Sequence, residues 1–157
     1  MDSMRPGREI DARIAKEVFG HRVWAQAKVL YENAEKGDRP LRNYSKELEW
    51  AFEVAAKMKI TLIPVEGSNW FAFTGPAGKD GWESPQAVLQ FLEKGTFDEC
   101  GASVGPNAAA VICEAALKAT EKRAAASRAL VERNAEMNVE TVGDATSSNS
   151  GESIITH

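Results

Sequence analysis

The chain has 157 residues, 43% hydrophobic and 27% charged, with twelve Gly, six Pro and two Cys. At roughly 100–200 residues per domain this is one domain of ordinary globular composition, which excludes collagen-like, mucin-like and disulfide-scaffold classes. Nineteen Lys and Arg face 23 Asp and Glu, and the imbalance of −4 lies in residues 136–157, which hold Glu136, Glu140, Asp144 and Glu152 and no base; residues 1–135 are neutral, without the basic excess expected of a duplex-binding protein.

No apolar run approaches the ~18 residues that cross a bilayer, and the opening MDSMRPGREIDARIAKE has no apolar core of a secretory signal. No membrane association is expected, and Cys100 and Cys113 read as reduced cytoplasmic thiols.

Residues 1–7 contain a Pro-Gly pair and read as a flexible lead-in. Ile10, Ile14 and Val18 recur every four residues, which predicts an amphipathic helix from Arg8 to about Phe19, stopped by Gly20. HRVWAQAKVLY fits a strand or a short helix equally, and EKGDRPLRN, with Gly37 and Pro40, reads as a loop. Ser45 is a candidate N-cap for a helix that places Leu48, Ala51, Phe52, Ala55 and Met58 on one face. The apolar period then falls to two: Ile60–Val65, a turn at Glu66–Asn69 and the run WFAFT predict an antiparallel hairpin.

GPAGKDGWESP is a Gly- and Pro-rich loop ending in a start signal, Ser84 as N-cap and Pro85 at the first helical position, for a short helix to Gly95. Thr96–Val104 reads as a further strand. Gly105-Pro106-Asn107 opens the longest helical stretch, apolar at first and Ala-rich and charged from Glu121. GDATSSNSGES lacks the apolar content to fold and reads as disordered.

No chemistry is spelled out by a motif. Two histidines, His21 and His157, and two cysteines thirteen residues apart carry no metal-ligand spacing, so no metal, cofactor or catalytic residue is assigned. Candidate ligand contacts fall in three places. Ser103, Gly105 and Asn107 lie in a turn before a helix, where backbone N–H groups can hold an anion, or where the turn merely starts the helix. Lys79 and Trp82 share a glycine-rich loop and could pair with a phosphate and stack a base; Trp82 as a core anchor is the alternative. Arg39, Arg42 and Tyr44 precede the second helix and could add a polar wall.

Three blocks resemble a known family. Arg8-Glu9-Ile10-Asp11 with Ala15, Val18 and Gly20, then Tyr44-Ser45 through Ala51, Phe52, Val54 and Lys57-Met58, then Ala110-Val111-Ile112-Cys113-Glu114-Ala115-Ala116-Leu117-Lys118-Ala119 resemble, in the same order, the phage ABA sandwich domain family of small bacteriophage proteins. The blocks span most of residues 8–122; residues 60–100 depart from the pattern and the part from 123 on is an extension. The resemblance implies a layered helix–sheet–helix domain encoded by a phage or prophage and acting in the bacterial host cytoplasm, and it brings no catalytic residues.

Together these readings give an α+β or α/β single domain over 8–122 with a small, mainly antiparallel sheet, a helical extension over 123–138 and a disordered acidic tail over 139–157. The expected function is non-enzymatic binding of a small anionic ligand, such as a cyclic nucleotide or ADP-ribose derivative, as counter-defence. The alternatives are inhibition of a bacterial defence protein and, third, nucleotide processing, which would need carboxylates or His21 to converge in a pocket. Self-association through the Ala-rich helix is also expected.

Overall fold

The amphipathic opening forms α1 (Arg8–Arg13), which continues into a π-helical turn over Ile14–Val18. The computed structural model describes residues 7–76, 81–98 and 100–155, with side chains described to Met137. The π turn closes with Phe19 N–H donating to the Ile14 carbonyl at 3.3 Å and His21 N–H to the Ala15 carbonyl at 2.8 Å. Gly20, at φ +71°, reverses the chain between them as a left-handed helix stop. Ile10, Ile14, Ala15 and Val18 are buried, as the four-residue period predicts.

Segment 21–34, ambiguous in sequence, is a hairpin. β1 (Val23–Gln26) pairs antiparallel with β2 (Val29–Ala34) across a turn whose two central residues, Ala27 and Lys28, both have positive φ. That turn geometry follows the twist of the strands. The stretch read as a loop is corrected in part: Gly37–Pro40 is a third strand, β3, antiparallel to β2 with Glu32 opposite Arg39. β3 pairs through its backbone and through Asn33 donating to Asp38 at 2.6 Å, so it shows no apolar alternation.

α2 (Leu48–Met58) buries Ala51, Val54 and Met58, while Leu48 and Phe52 face outward, so the apolar stripe is rotated from the expected one. Ser45 does not cap it; the cap position is Glu47. The Ser45 hydroxyl instead donates to the buried Asp11 carboxylate at 2.7 Å, and its backbone N–H donates to the same oxygen at 2.9 Å. Arg8 donates to Asp11, to the Leu41 carbonyl and to Asn43. The Arg8–Asp11 and Tyr44–Ser45 blocks are therefore two halves of one joint that fixes the 41–45 loop against the first helix.

The predicted hairpin is present as β4 (Thr61–Val65) and β5 (Asn69–Phe73), joined by a turn with Gly67 and Ser68 at positive φ. α3 (Pro85–Lys94) starts as expected, with Ser84 Oγ accepting from Ala87 N–H at 3.2 Å and Pro85 in the first turn. β6 (Ala102–Gly105) pairs with β5, so the strand material forms two three-stranded antiparallel sheets, β1-β2-β3 and β4-β5-β6.

α4 runs Ala108–Ile155. Every residue from Ala109 to Leu117 is buried, and Val111, Ile112, Cys113, Ala116 and Leu117 join α1, α2 and the β4-β5-β6 sheet's Ala72 in one core. A helix covered all round needs small residues where neighbours come close. Here Ala115 and Ala119 meet Gly101, where an added Cβ would lie 2.0 Å from the Ala115 carbonyl oxygen. The chain divides into two compact units, Met1–Arg123 and Ala124–His157. In the second, Leu130, Val131 and Met137 are exposed. The disordered tail read from composition, 139–157, lies outside the residues whose side chains are described. No helix among the described residues is long and apolar enough to cross a membrane.

Candidate functional site

Alternation along β2 places Leu30, Glu32 and Ala34 on the inward face, so a carboxylate is carried into the interior. Glu32 is fully buried and accepts from four donors. His21 Nδ1 lies 2.6 Å and the Tyr44 hydroxyl 2.8 Å from Oε1, Arg39 Nη2 stands 3.4 Å from the same oxygen, and Arg42 N–H donates to Oε2 at 2.9 Å. Burial pushes the carboxyl up. The Arg42 backbone N–H, the Tyr44 hydroxyl, the His21 ring and the Arg39 charge together outweigh it and hold Glu32 below the ordinary carboxylate range. Tyr44 moves the other way, pushed up by burial and by its bond to Glu32, so it remains a phenol donor.

A pocket of about 360 Å³ opens above this carboxylate. His21 and Phe19 reach it from the segment after the π turn, Arg39 from β3, Arg42 and Tyr44 from the joint below α1, and Glu53 and Lys57 from α2; Glu35 and Lys36 close it at the β2–β3 turn. Phe19 stacks on His21 at 5.6 Å and on Tyr44 at 5.5 Å, which packs the imidazole against the aromatic side of the pocket. Arg42 pairs with Glu53 at 2.6 Å and lies 3.9 Å over the Trp50 ring, a stacked and charge-paired arrangement that only guanidinium geometry serves well.

Four bases line the pocket against two acids. Lys36 and Lys57 make no ion pair among the described residues, and Arg39 Nε is buried without a hydrogen-bond partner. With Arg42 committed to Glu53 and Arg39 to Glu32, the pocket charges without an ion-pair partner among the described residues are Lys36, Lys57 and Glu35. The arrangement can hold an anion by charge and by the unused Arg39 donor.

The predicted ligand residues separate into groups. Arg39, Arg42 and Tyr44 line this pocket. Trp82 does not: it sits among Phe73 and Phe91 at 6.3 and 5.0 Å and donates to Thr61 Oγ1 at 3.2 Å, the core-anchor role. Asn107 caps α4, its side-chain oxygen accepting from Ala110 N–H at 3.1 Å, while Gly105 ends β6 and Ser103 is buried on that strand with its hydroxyl unpartnered among the described residues. Lys79 lies outside the described residues. His21, Glu32, Lys36 and Lys57 were not singled out as ligand contacts. Two-residue alternation would have turned Glu32 inward once the strand was recognised; nothing local marks His21 as its partner. Among the described residues no cluster of three or more His, Cys, Asp or Glu could hold a metal ion.

No family model matches the chain, and no curated protein matches it. A solved structure, the 2.0 Å crystal structure of a phage protein from Bacillus cereus ATCC 14579, is similar to it with a TM-score of 0.52 and 16% identity, over 76% of this chain and 95% of that one. At that identity the likeness is one of fold: this chain folds like a small phage protein.

Proposed function

We propose that this is a phage-encoded binding protein that captures a small anionic ligand of nucleotide type in the 19–57 pocket, acting in the host cytoplasm as a counter-defence sponge. The observation that carries the reading is the pocket itself, with its excess of bases, its buried unpartnered Arg39 Nε and its aromatic wall of Phe19 and Tyr44. The phage setting draws on the fold likeness to the Bacillus cereus phage protein and on the ordered blocks that resemble the phage ABA sandwich domain family; membership of that family is part of the proposal.

A second reading, inhibition of a host or defence protein, has its support in the exposed Leu130, Val131 and Met137 of the second unit. A thermal-shift screen against mononucleotides, cyclic di- and trinucleotides and ADP-ribose derivatives tests the first reading, followed by chromatography of the heat-released ligand. A ligand that raises the melting temperature and emerges intact supports capture, and a changed product replaces capture with turnover. No shift with any of them overturns capture and leaves the protein-partner reading, to be tested by pull-down from infected cells.

A further inference from the structure

His21 is placed to do more than line the wall. Its Nδ1 is committed to Glu32 at 2.6 Å, and Glu32 is held ionised by the other donors around it, so Nδ1 carries the proton of that bond. Nε2 has no partner among the described residues and is not a buried atom. In the neutral ring, Nε2 then presents a lone pair to the pocket, which repels an anion; only the imidazolium can donate from Nε2.

The charges around it point the same way. Facing His21 are Glu32 from β2, Arg39 from β3 and the Tyr44 phenol; the rest of the pocket adds Glu35, Lys36, Arg42, Glu53 and Lys57. Taking Glu32 with the lining residues, four bases and three acids leave one net positive charge with a neutral imidazole and two with imidazolium. A monoanion is balanced by the first state and a dianion by the second.

We infer that the pocket is built for a dianion, a terminal phosphate rather than an internal phosphodiester, and that His21 takes up one proton when that dianion binds, donating to it from Nε2. This rests on the anion-pocket reading and narrows its ligand to phosphomonoesters. Glu32 acts here as a positioning residue, fixing the tautomer and compensating the imidazolium.

The test uses permanent ions, so that the ligand itself does not titrate. Sulfate stays a dianion and dimethyl phosphate a monoanion between pH 5.5 and 8.5, and both are titrated into the full chain by calorimetry in two buffers of different ionisation enthalpy. The expected result is sulfate binding that weakens about tenfold per pH unit once imidazole is neutral, with proton uptake approaching one per sulfate. Dimethyl phosphate should bind at least about tenfold more weakly than sulfate at pH 6, the step expected when one charge is left unmatched. His21→Gln, which offers a non-titrating amide, should remove the pH dependence. Sulfate binding with flat affinity and no proton uptake overturns the role of His21 while leaving the anion pocket standing. Equal binding of the two ions at pH 6 overturns the preference for a dianion. If neither ion binds at any pH, the anion-pocket reading fails and this inference with it.

Discussion

Replacing Glu32 by Gln keeps the shape of the side chain and removes what it does. The carboxylate receives Nδ1 of His21, the Tyr44 hydroxyl and Arg39 on one oxygen and the Arg42 backbone N–H on the other. An amide can keep its oxygen toward the first three, but its NH₂ then faces the Arg42 N–H, donor against donor, and Arg39 loses its counter-charge. A lost buried hydrogen bond costs ~1–3 kcal/mol, and breaking a buried charge pair lies at ~3–5 kcal/mol; because Glu32→Gln keeps the shape and some of the bonds, its cost falls at the low end of the second range, about 3 kcal/mol. For a chain of this size that is a drop in melting temperature of roughly 10 °C.

The pH dependence has a definite sign. Glu32 is held below the ordinary carboxylate range in the folded state, so its contribution is fully present above the unfolded-state value and is lost as pH falls through the folded-state value. Scanning calorimetry of both proteins from pH 7 down to pH 3 should therefore show the gap shrinking as the wild type loses this component and the variant does not. A variant that melts within 2 °C of wild type at pH 7, or a gap that stays constant into the acid range, would refute the reasoning.

Three further outcomes are expected. Gly101→Ala should unfold the protein or lower its stability by about 3 kcal/mol or more, since the new Cβ would lie 2.0 Å from the Ala115 carbonyl oxygen and 2.6 Å from Ala119 N, and backbone on both sides cannot yield cheaply; a soluble variant that melts like wild type in a urea titration refutes it. Ser84→Ala removes the side-chain acceptor for Ala87 N–H and should cost ~1 kcal/mol, read as a shifted urea midpoint with unchanged slope. Cys113 should resist alkylation in the native state and react only in denaturant, because burial first, and the nearby Asp11 charge second, push its thiol far up; rapid labelling of Cys113 in the folded protein, located by mass spectrometry, contradicts the packing described for α4.

The features legible in the sequence were those whose cause is local. Ser84-Pro85 starts α3 because a cap and a fixed φ act within one turn, and the 61–73 hairpin announces itself by alternation around four polar residues. Ser45 looked like such a cap and was not one, because Asp11, thirty-four residues away, competes for its hydroxyl. β3 was hidden because a strand held by backbone pairing and polar contacts, Asn33 with Asp38 and Arg39 with Glu32, needs no apolar residues. The β1–β2 turn lacks Gly or Asn although both central residues have positive φ, so the usual hairpin signal was absent. Of the site, Arg39, Arg42 and Tyr44 were legible as polar and aromatic groups close in sequence. His21 and Glu32 were not, since their meeting depends on where β2 folds back.

The π turn at Ile14–Val18 gives the first helix room to absorb a change of length. It accommodates one residue more than an α-helical path would need between the buried stripe of α1 and the Gly20 stop. Deleting a single exposed position there, such as Lys16, would let the segment close to plain α-helix while leaving Phe19 and His21 on their present side of the Gly20 stop. A change of one residue in the length of this segment is therefore taken up inside the turn itself rather than passed on to the residues that follow it.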